Sequence, residues 1–415
     1  MPLLMSDLKN YYYSLRKRHY DYLIAPAKKV LHIGPDGKIP SFVEVPKFDY
    51  IVLAGTLGEL QDIQQYLTDL RPFCHADTRI IIEYYSYLWQ YILKLAEKLH
   101  LKERRPIQNW LTWGDIFNFL ELSAFEPVKR HRAILFPLYI WGLSPLINRY
   151  LAPLPLFNAL TLNHFIIARP RFEDTQEYSV SIVVPCRNER GNIEAAITRT
   201  PAFSSHQEFI FVEGHSKDGT YEEVQRVMAA YPHKDIKLFK QTGKGKGDAV
   251  RCGFAQARGE VLMILDADLT TPPEDMPKFY EAIRSGRAEF VNGCRLIYPM
   301  QDEAMRFLNL IANKFFGIFF TWLLGQRFKD TLCGTKVIFK RHYNDLAANR
   351  HYFGDFDPFG DFDLIFGAVK LNLKVLEVPV RYKNRLYGTT QIQRFRHGLL
   401  LFRMCGVAMR KIKFI

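Results

Sequence analysis

The chain has 415 residues, 48% of them apolar and 24% charged, a balance that favours folding over disorder and a length that suits two domains. Its formal net charge of +13 points to an anionic partner: nucleic acid, acidic lipid or a phosphorylated substrate. The absence of any nucleic-acid-binding module, zinc-finger spacing or compact run of Lys and Arg argues against the first of these. The six cysteines, Cys74, Cys186, Cys252, Cys294, Cys333 and Cys405, include no CxxC pair, which fits reduced, mostly buried thiols in a cytoplasmic protein. Met1 to Arg18 lack the apolar core of a signal peptide. No uninterrupted run of about 18 apolar residues is present, so no transmembrane helix is expected.

Two α/β patterns follow one another along the chain. The first begins with the strand Lys29-Val-Leu-His-Ile-Gly34, which runs into the loop Gly34-Pro-Asp-Gly37. Strands are expected at Phe48–Leu53, Arg79–Tyr84 and His164–Ala168, with helical patterning at Leu57–Leu70 and Tyr87–Leu99. Polar Arg171 to Gln176 read as a linker. The second pattern opens with the buried strand Ser179–Pro185 and continues with strands at Glu208–Val212, Lys237–Phe239, Glu260–Leu265 and Glu289–Asn292. Strands alternating with helices predict a doubly wound, mainly parallel sheet, which binds ligands beyond the carboxyl ends of its strands.

The chemistry-bearing residues cluster at those ends. Strand one leads into Pro185-Cys-Arg-Asn-Glu189 and strand two into Glu213-Gly-His-Ser-Lys-Asp-Gly-Thr220. Gly243-Lys-Gly-Lys-Gly-Asp-Ala249 follows, and then Asp266-Ala-Asp268. Acidic and amide groups hold a nucleobase and ribose, glycines let backbone approach a ligand, and Lys244 and Lys246 meet phosphate charge. Asp266 and Asp268 share a face if the strand pleat continues. Two carboxylates with diphosphate oxygens suit Mg²⁺ or Mn²⁺. The chain has further Asp-X-Asp pairs at Asp355/Asp357 and Asp361/Asp363, but only the first terminates an apolar strand.

In this order, the motifs of the second pattern resemble the family 2 glycosyltransferases of GT-A fold. Within that family they are most like the dolichyl- and polyprenyl-phosphate mannosyl- and glucosyltransferases. The likeness runs from Val184-Pro-Cys-Arg-Asn-Glu189 and Glu213–Thr220 through Gly245-Lys-Gly-Asp-Ala249, Leu265-Asp-Ala-Asp-Leu269 and Asn292-Gly-Cys-Arg295. It continues through Asp330-Thr-Leu-Cys-Gly-Thr-Lys336, Phe359-Gly-Asp-Phe-Asp363 and Glu377-Val-Pro-Val380 to Gly388. The resemblance implies a metal-dependent, inverting transferase moving a sugar from a nucleotide sugar, a GDP- or UDP-linked hexose, to a polyprenyl phosphate. It places Pro185, Arg187, Glu189, Glu213, Asp218, Lys246 and Asp266 in the nucleotide pocket. Asp266 and Asp268 become the metal ligands, with Thr270 standing where relatives often have Gln; Glu213 replaces a more usual Asp. Arg295 and Arg385, with Arg306, Asp330 and Lys336, belong to the acceptor side, and Asp268, Arg295, Asp361 and Arg385 to catalysis.

A phosphate acceptor is already ionised and needs no general base, which makes Asp361 a helix cap. A hydroxyl acceptor, the alternative, needs a carboxylate base, and Asp361 is then the candidate. A third reading, from another class, is a non-catalytic scaffold. Two segments suit a lipid substrate. From Glu303 to Leu324, polar Glu303, Arg306, Asn309, Asn313 and Lys314 recur opposite a face with Trp322; near the end, Arg396, Arg403 and Arg410 form one stripe of an otherwise apolar helix. These predict peripheral contact at the inner, cytoplasmic membrane face. Lys29 to Pro170 resemble a class I S-adenosylmethionine methyltransferase that has lost its centre. Pro35 interrupts its glycine loop, and only ten residues separate Gly37 from Phe48, so no S-adenosylmethionine binding is expected. The expected organisation is therefore a degenerate, truncated Rossmann-like methyltransferase-like domain at 1–175, a GT-A domain with a doubly wound mixed sheet at 176–395, and a basic amphipathic helix at 396–415.

Overall fold

The computed structural model describes residues 2–100, 102, 104, 107–172, 176–298, 307–352, 360–385, 387–388 and 394–415, with backbone only at 2–9, 307–312 and 394–399. Arg306, Glu303, the Asp355/Asp357 pair and the side chains of Asn309 and Arg396 lie outside what is described. Two compact units emerge: Met1–Phe172 with Arg410–Ile415, and Glu173–Met409.

The first unit is built on a five-stranded sheet of order β1-β2-β3-β5-β4. Strands β1 (Val30–Ile33), β2 (Phe48–Ala54) and β3 (Cys74–Tyr85) are parallel, whereas β5 (Asn163–Pro170) runs antiparallel to both β3 and β4 (Phe125–Ala133). Strand β4 escapes sequence reading because its Lys, Arg and His residues and Pro127 do not read as a buried strand. It is an edge strand whose register shifts between Pro127 and Lys129, where a missing amide donor is tolerated. A helix at Pro2–Leu23, also unforeseen, precedes the sheet. Apolar side chains of β2, β3 and β5 pack with those of the helices Ile63–Leu70 and Trp113–Leu122 as the unit's core.

The second unit has a seven-stranded sheet of order β12-β10-β11-β9-β6-β7-β8. Its strands are β6 (Val180–Cys186), β7 (Gln207–Glu213), β8 (Asp235–Lys240), β9 (Val261–Ile264), β10 (Phe290–Cys294), β11 (Lys336–Phe339) and β12 (Val375–Pro379). All pairings are parallel except those of β11, which runs against both β9 and β10. Strands β11 and β12 were not anticipated: β11 begins on the buried cation Lys336, and β12 carries Glu377 and ends in Pro379. The reversal of β11 has a consequence for the site. The carboxyl ends of β6, β7, β9 and β10 and the start of β11 all reach the same edge of the sheet. Chain order also changes direction between β6 and β9, the crevice where doubly wound sheets bind ligands.

The two amphipathic segments are arranged differently from the expectation. In the helix Phe307–Leu324 the polar Asn313 is buried, while Phe315 and Ile318 are exposed, Ile318 by 75%. Phe316 and Phe320 are buried, Phe320 between the rings of Phe362 and Phe366. Packing on the unit's own core thus claims one apolar face and leaves another outside. In the helix Arg394–Ala408, Leu401 and Met404 are buried, whereas Phe402 and Arg403 are exposed.

The helix Lys246–Gln256, which links β8 to β9, lies close on β6 and β7. A Cβ at Gly253 would fall 2.4 Å from Val183 Cγ1 and 3.2 Å from Val212 Cγ2. Gly253→Ala therefore overpacks that contact at a cost of about 1–3 kcal/mol, more than the helix-propensity gain of about 1 kcal/mol. A lower urea midpoint for the intact protein is the expected result.

Candidate active site

The site is assembled by loops that leave the carboxyl edge of the second sheet. After β6, Asn188 takes a left-handed backbone (φ 54) and uses its side-chain oxygen to accept from Lys217 N–H at 2.8 Å. Its own N–H donates to Ser216 Oγ at 3.0 Å. Asp218 accepts from Arg190 N–H (3.2 Å) and from the N–H (3.1 Å) and hydroxyl (2.5 Å) of Thr220. Glu213 is buried and accepts from Ser216 N–H. These carboxylates brace the loops after β6 and β7. Their neighbours Gly214, Arg187 and Glu189 line the cavity described next, whereas the Glu213 and Asp218 side chains are engaged within the loops that carry them.

The pleat of β9 ends at Ile264 and does not carry Asp266 and Asp268 onto a common face. Instead Leu269 N–H donates to Asp266 carbonyl at 3.0 Å, closing a turn in which Leu269 is left-handed (φ 53). The turn delivers both carboxylates to one cavity of about 450 Å³. Pro185, Arg187, Glu189, Lys246, Thr270, Arg295, Asp361 and Arg385, all singled out from sequence, share that wall. Thr270, expected as a third metal ligand, lies in the same wall and donates its N–H (3.1 Å) and hydroxyl (2.8 Å) to Asp268 Oδ1, which orients that carboxylate.

Opposite charges alternate through the site. Lys246 Nζ lies 2.6 Å from Asp266 Oδ1. Arg385 bridges two carboxylates, with Nη2 2.5 Å from Asp268 Oδ2 and Nη1 2.9 Å from Glu189 Oε1. Arg295 forms a two-pronged pair with Asp330 (2.7 and 2.8 Å), and Lys336 Nζ lies 2.9 Å from Asp361 Oδ1. Burial opposes the charge on Lys246, yet Asp266, Asp361 and Asp268 hold its ammonium above the usual lysine range. Burial likewise opposes ionisation of Asp266, and Lys246 overcomes it, keeping that carboxyl below its ordinary value. The same contest between burial and ion pairing raises Arg295 and lowers Asp330. Glu189 goes the other way: burial pushes it up to about 7, against the opposing pull of Arg385 and Asn192.

Asp330 and Lys336 do not reach the wall. Both are buried behind it, where each holds a wall residue in place. Asp361 is not a helix cap: Gly360 (φ 75) occupies that position, and Asp361 is the first residue of the helix Asp361–Lys370 with its carboxylate at the cavity. Several wall residues escaped sequence reading, among them Gln241, Leu332, Gly334 and Tyr382. Gln241 directly follows β8, so the strand-end rule alone could have found it. Gly334 sits inside the Asp330–Lys336 motif, and a Cβ there would fall 1.9 Å from Asp266 Oδ2 and 2.2 Å from Lys246 Nζ. Tyr382 places its ring centroid 5.2 Å from the Arg295 guanidinium.

Comparison with known proteins bears on this geometry. Residues 181–346 match the family model described as glycosyl transferase family 2. The chain is 30% identical over 248 residues to a dolichol-phosphate mannosyltransferase of Pyrococcus furiosus, covering 57% of this chain and 67% of that one. It is 37% identical over 113 residues to a dolichol-phosphate mannosyltransferase of Saccharomyces cerevisiae, covering 26% of this chain and 41% of the relative. A dolichyl-phosphate beta-glucosyltransferase of Trichomonas vaginalis is 30% identical over 232 residues, 51% of this chain and 66% of the relative. The Pyrococcus alignment spans two thirds of its relative, and the family-model match contains the whole Asp266–Thr270 turn together with Lys246, Arg295 and Asp330. The chain belongs to glycosyl transferase family 2 and is a glycosyltransferase.

Proposed function

We propose that the second unit transfers a hexose, inverting its anomeric centre, from a GDP- or UDP-linked donor to the phosphate of a polyprenyl lipid. The observation that carries this reading is a single cavity whose wall presents two turn-borne carboxylates, Asp266 and Asp268, together with Lys246, Arg295 and Arg385. The relatives named for dolichol-phosphate mannosyl transfer and dolichyl-phosphate glucosyl transfer support the acceptor class.

Asp266 and Asp268 offer hard oxygen donors on the wall of one cavity, each now met by a cation, Lys246 or Arg385. That donor set fits Mg²⁺ or Mn²⁺. Bound there, the cation would neutralise charge on the departing diphosphate. Pro185, Arg187 and Glu189 lie toward the nucleotide, with Lys246 at its phosphates. The lipid phosphate, ionised because its second pKa is about 6, attacks the anomeric carbon. The carbon–oxygen bond to the diphosphate breaks, and its electron pair leaves with the diphosphate. Arg295, pinned by Asp330, and Arg385 orient the attacking phosphate, because a planar guanidinium matches phosphate oxygens in pairs. Lys336 steadies Asp361 in the same wall.

Among the described residues no helix is long and apolar enough to cross a membrane. The exposed Phe315, Ile318 and Phe402 beside Lys314 and Arg403 support peripheral contact with the cytoplasmic face of an anionic membrane. The first unit reads as a non-catalytic relic of a methyltransferase-like fold. No S-adenosylmethionine heat signal is expected in calorimetric titration, and micromolar binding would overturn that reading.

A hydroxyl acceptor is the second reading, favoured by the Asp361 carboxylate at the wall. Asp361→Asn separates the two: a hydroxyl acceptor predicts a loss of about a hundredfold or more in turnover, and a phosphate acceptor a loss of less than about tenfold. The direct assay incubates nucleotide sugars with extracted polyprenyl phosphates, with and without Mn²⁺. Product in the presence of Mn²⁺ only, and a fall of about a hundredfold in Asp268→Asn, are the expected results. Transfer to saccharides but to no lipid phosphate would sink the proposal. Gly334→Ala pushes a methyl into the Asp266–Lys246 pair, so kcat/KM falls by about tenfold or more, and the melting temperature falls with it because that pair also fastens the turn.

A further inference from the structure

The first unit presents a surface that the transferase chemistry does not use. Strand β3 ends at Tyr85 opposite Asn163 of β5, and β4 ends at Ala133 opposite the same residue. The segments that leave these ends therefore emerge at one end of the sheet: the turn and helix from Tyr87 to Lys98, and residues 134–162 between β4 and β5. Trp89 Nε1 donates to Leu160 carbonyl at 2.8 Å, and Ser86 N–H to Leu162 carbonyl at 2.9 Å, so the two segments are joined.

Their polarity is turned inside out. In residues 134–162, Ser144 and Thr161 are buried, and Asn148 accepts from the N–H groups of Leu135 and Phe136 and donates to Phe136 carbonyl. The apolar side chains face outward instead: Trp141 is 88% exposed and Leu156 83%, and Leu143, Leu146 and Leu160 are exposed with them. On the helix Gln90–Lys98, Tyr91 is 80% exposed, and Ile92, Leu95 and Leu99 continue its stripe. Water does not favour so dense an apolar face, and a monomer seldom carries one without use.

Charge selects the occupant. The only charged residue in 134–162 is Arg149, and the helix adds Lys94 and Lys98, all exposed; Glu97, its one acid, is paired with Lys102. Exposed Trp and Tyr, exposed leucines, and charge that is basic apart from the paired Glu97 match the headgroup region of an anionic bilayer. A protein partner would ask for acidic complements that this pattern does not specify. We propose that the first unit docks on an anionic lipid surface through the helix Gln90–Lys98 and residues 138–160. The proposal does not depend on the transferase reading, since every residue in it belongs to the other unit.

The test is flotation of the full chain with vesicles of phosphatidylcholine plus phosphatidylglycerol, and with phosphatidylcholine alone. The protein is expected to float with the anionic vesicles, and Trp141→Glu/Leu156→Glu to weaken partition by about tenfold or more at unchanged circular dichroism. Because the second unit also exposes apolar side chains, Ile318→Glu is introduced into the parent and the double variant alike, so that the difference between them reports the first unit. Brominated phosphatidylcholine in the anionic vesicles gives a readout without a destabilising charge: it should quench the unaltered protein more than Trp141→Phe. Equal partition of the double variant and the parent, or equal quenching of parent and Trp141→Phe, overturns the proposal. So does sedimentation showing a dimer that Trp141→Glu/Leu156→Glu dissociates while neither form floats, which would assign the face to a second copy of the chain.

Discussion

Two carboxylates separated by one residue and turned into one recess repel each other, and the second unit is organised around relieving that repulsion. Asp266 is met by Lys246 and Asp268 by Arg385, so charge is balanced by side chains from distant parts of the chain. Lys246 opens the helix after β8, and Arg385 lies beyond β12. Each ion pair therefore fastens a loop to the strand-end turn as well as cancelling charge. Such pairs are exchangeable: when a phosphate or a cation enters, the same groups can trade a carboxylate for a phosphate oxygen at little net cost in charge. The site is thereby kept both ordered and ready for polyanionic ligands.

A second layer of ion pairs fixes the first. Arg295 could swing widely on its three-carbon stem, but Asp330 grips it from behind in two parallel hydrogen bonds and Tyr382 faces its guanidinium. Asp330 is itself anchored, since its N–H and that of Lys329 donate to Glu377 on β12. Lys336, at the first position of the one reversed strand, holds Asp361. The antiparallel β11 is what brings the Asp330–Lys336 motif to the same edge as the carboxyl ends of its neighbours. Had β11 run parallel, its start would lie at the opposite edge, away from Asp266. Gly334 completes the arrangement by leaving the space that a methyl would take from the Asp266–Lys246 pair.

The first unit solves another problem. Its sheet core is made in the usual way, from alternate side chains of β2, β3 and β5, but the residues between β4 and β5 fold with amides and hydroxyls inside and leucines outside. Asn148 and buried Ser144 satisfy the backbone of this segment, which buries Ile134, Ala152 and Leu162 and leaves most of its larger apolar side chains outside. A surface of this kind gains stability only when an apolar medium covers it.

The sequence by itself determined the ordered motifs, the strand ends on which they fall, and hence the family. Alternation and apolar runs marked β6, β7, β8, β9 and β10, because their apolar side chains recur with the period of a strand. Asp266, Asp268 and Lys246 were legible as residue types suited to diphosphate chemistry, whereas Glu189, Arg295, Asp361 and Arg385 were given their roles by the family resemblance. Tertiary structure alone decided which of the remaining residues face the cavity. Glu213 and Asp218 are acidic residues in the right loops, and in the fold their oxygens accept from N–H and hydroxyl groups of those same loops. Asp330 and Lys336 are charged residues in a family motif, yet they lie one layer deep as partners of Arg295 and Asp361. The direction of β11, the turn that replaces the expected pleat after Ile264, and the inward face of Asn313 all depend on neighbours remote in sequence. A hydrophobic period states that a side chain is buried or exposed; only the packed fold states against what.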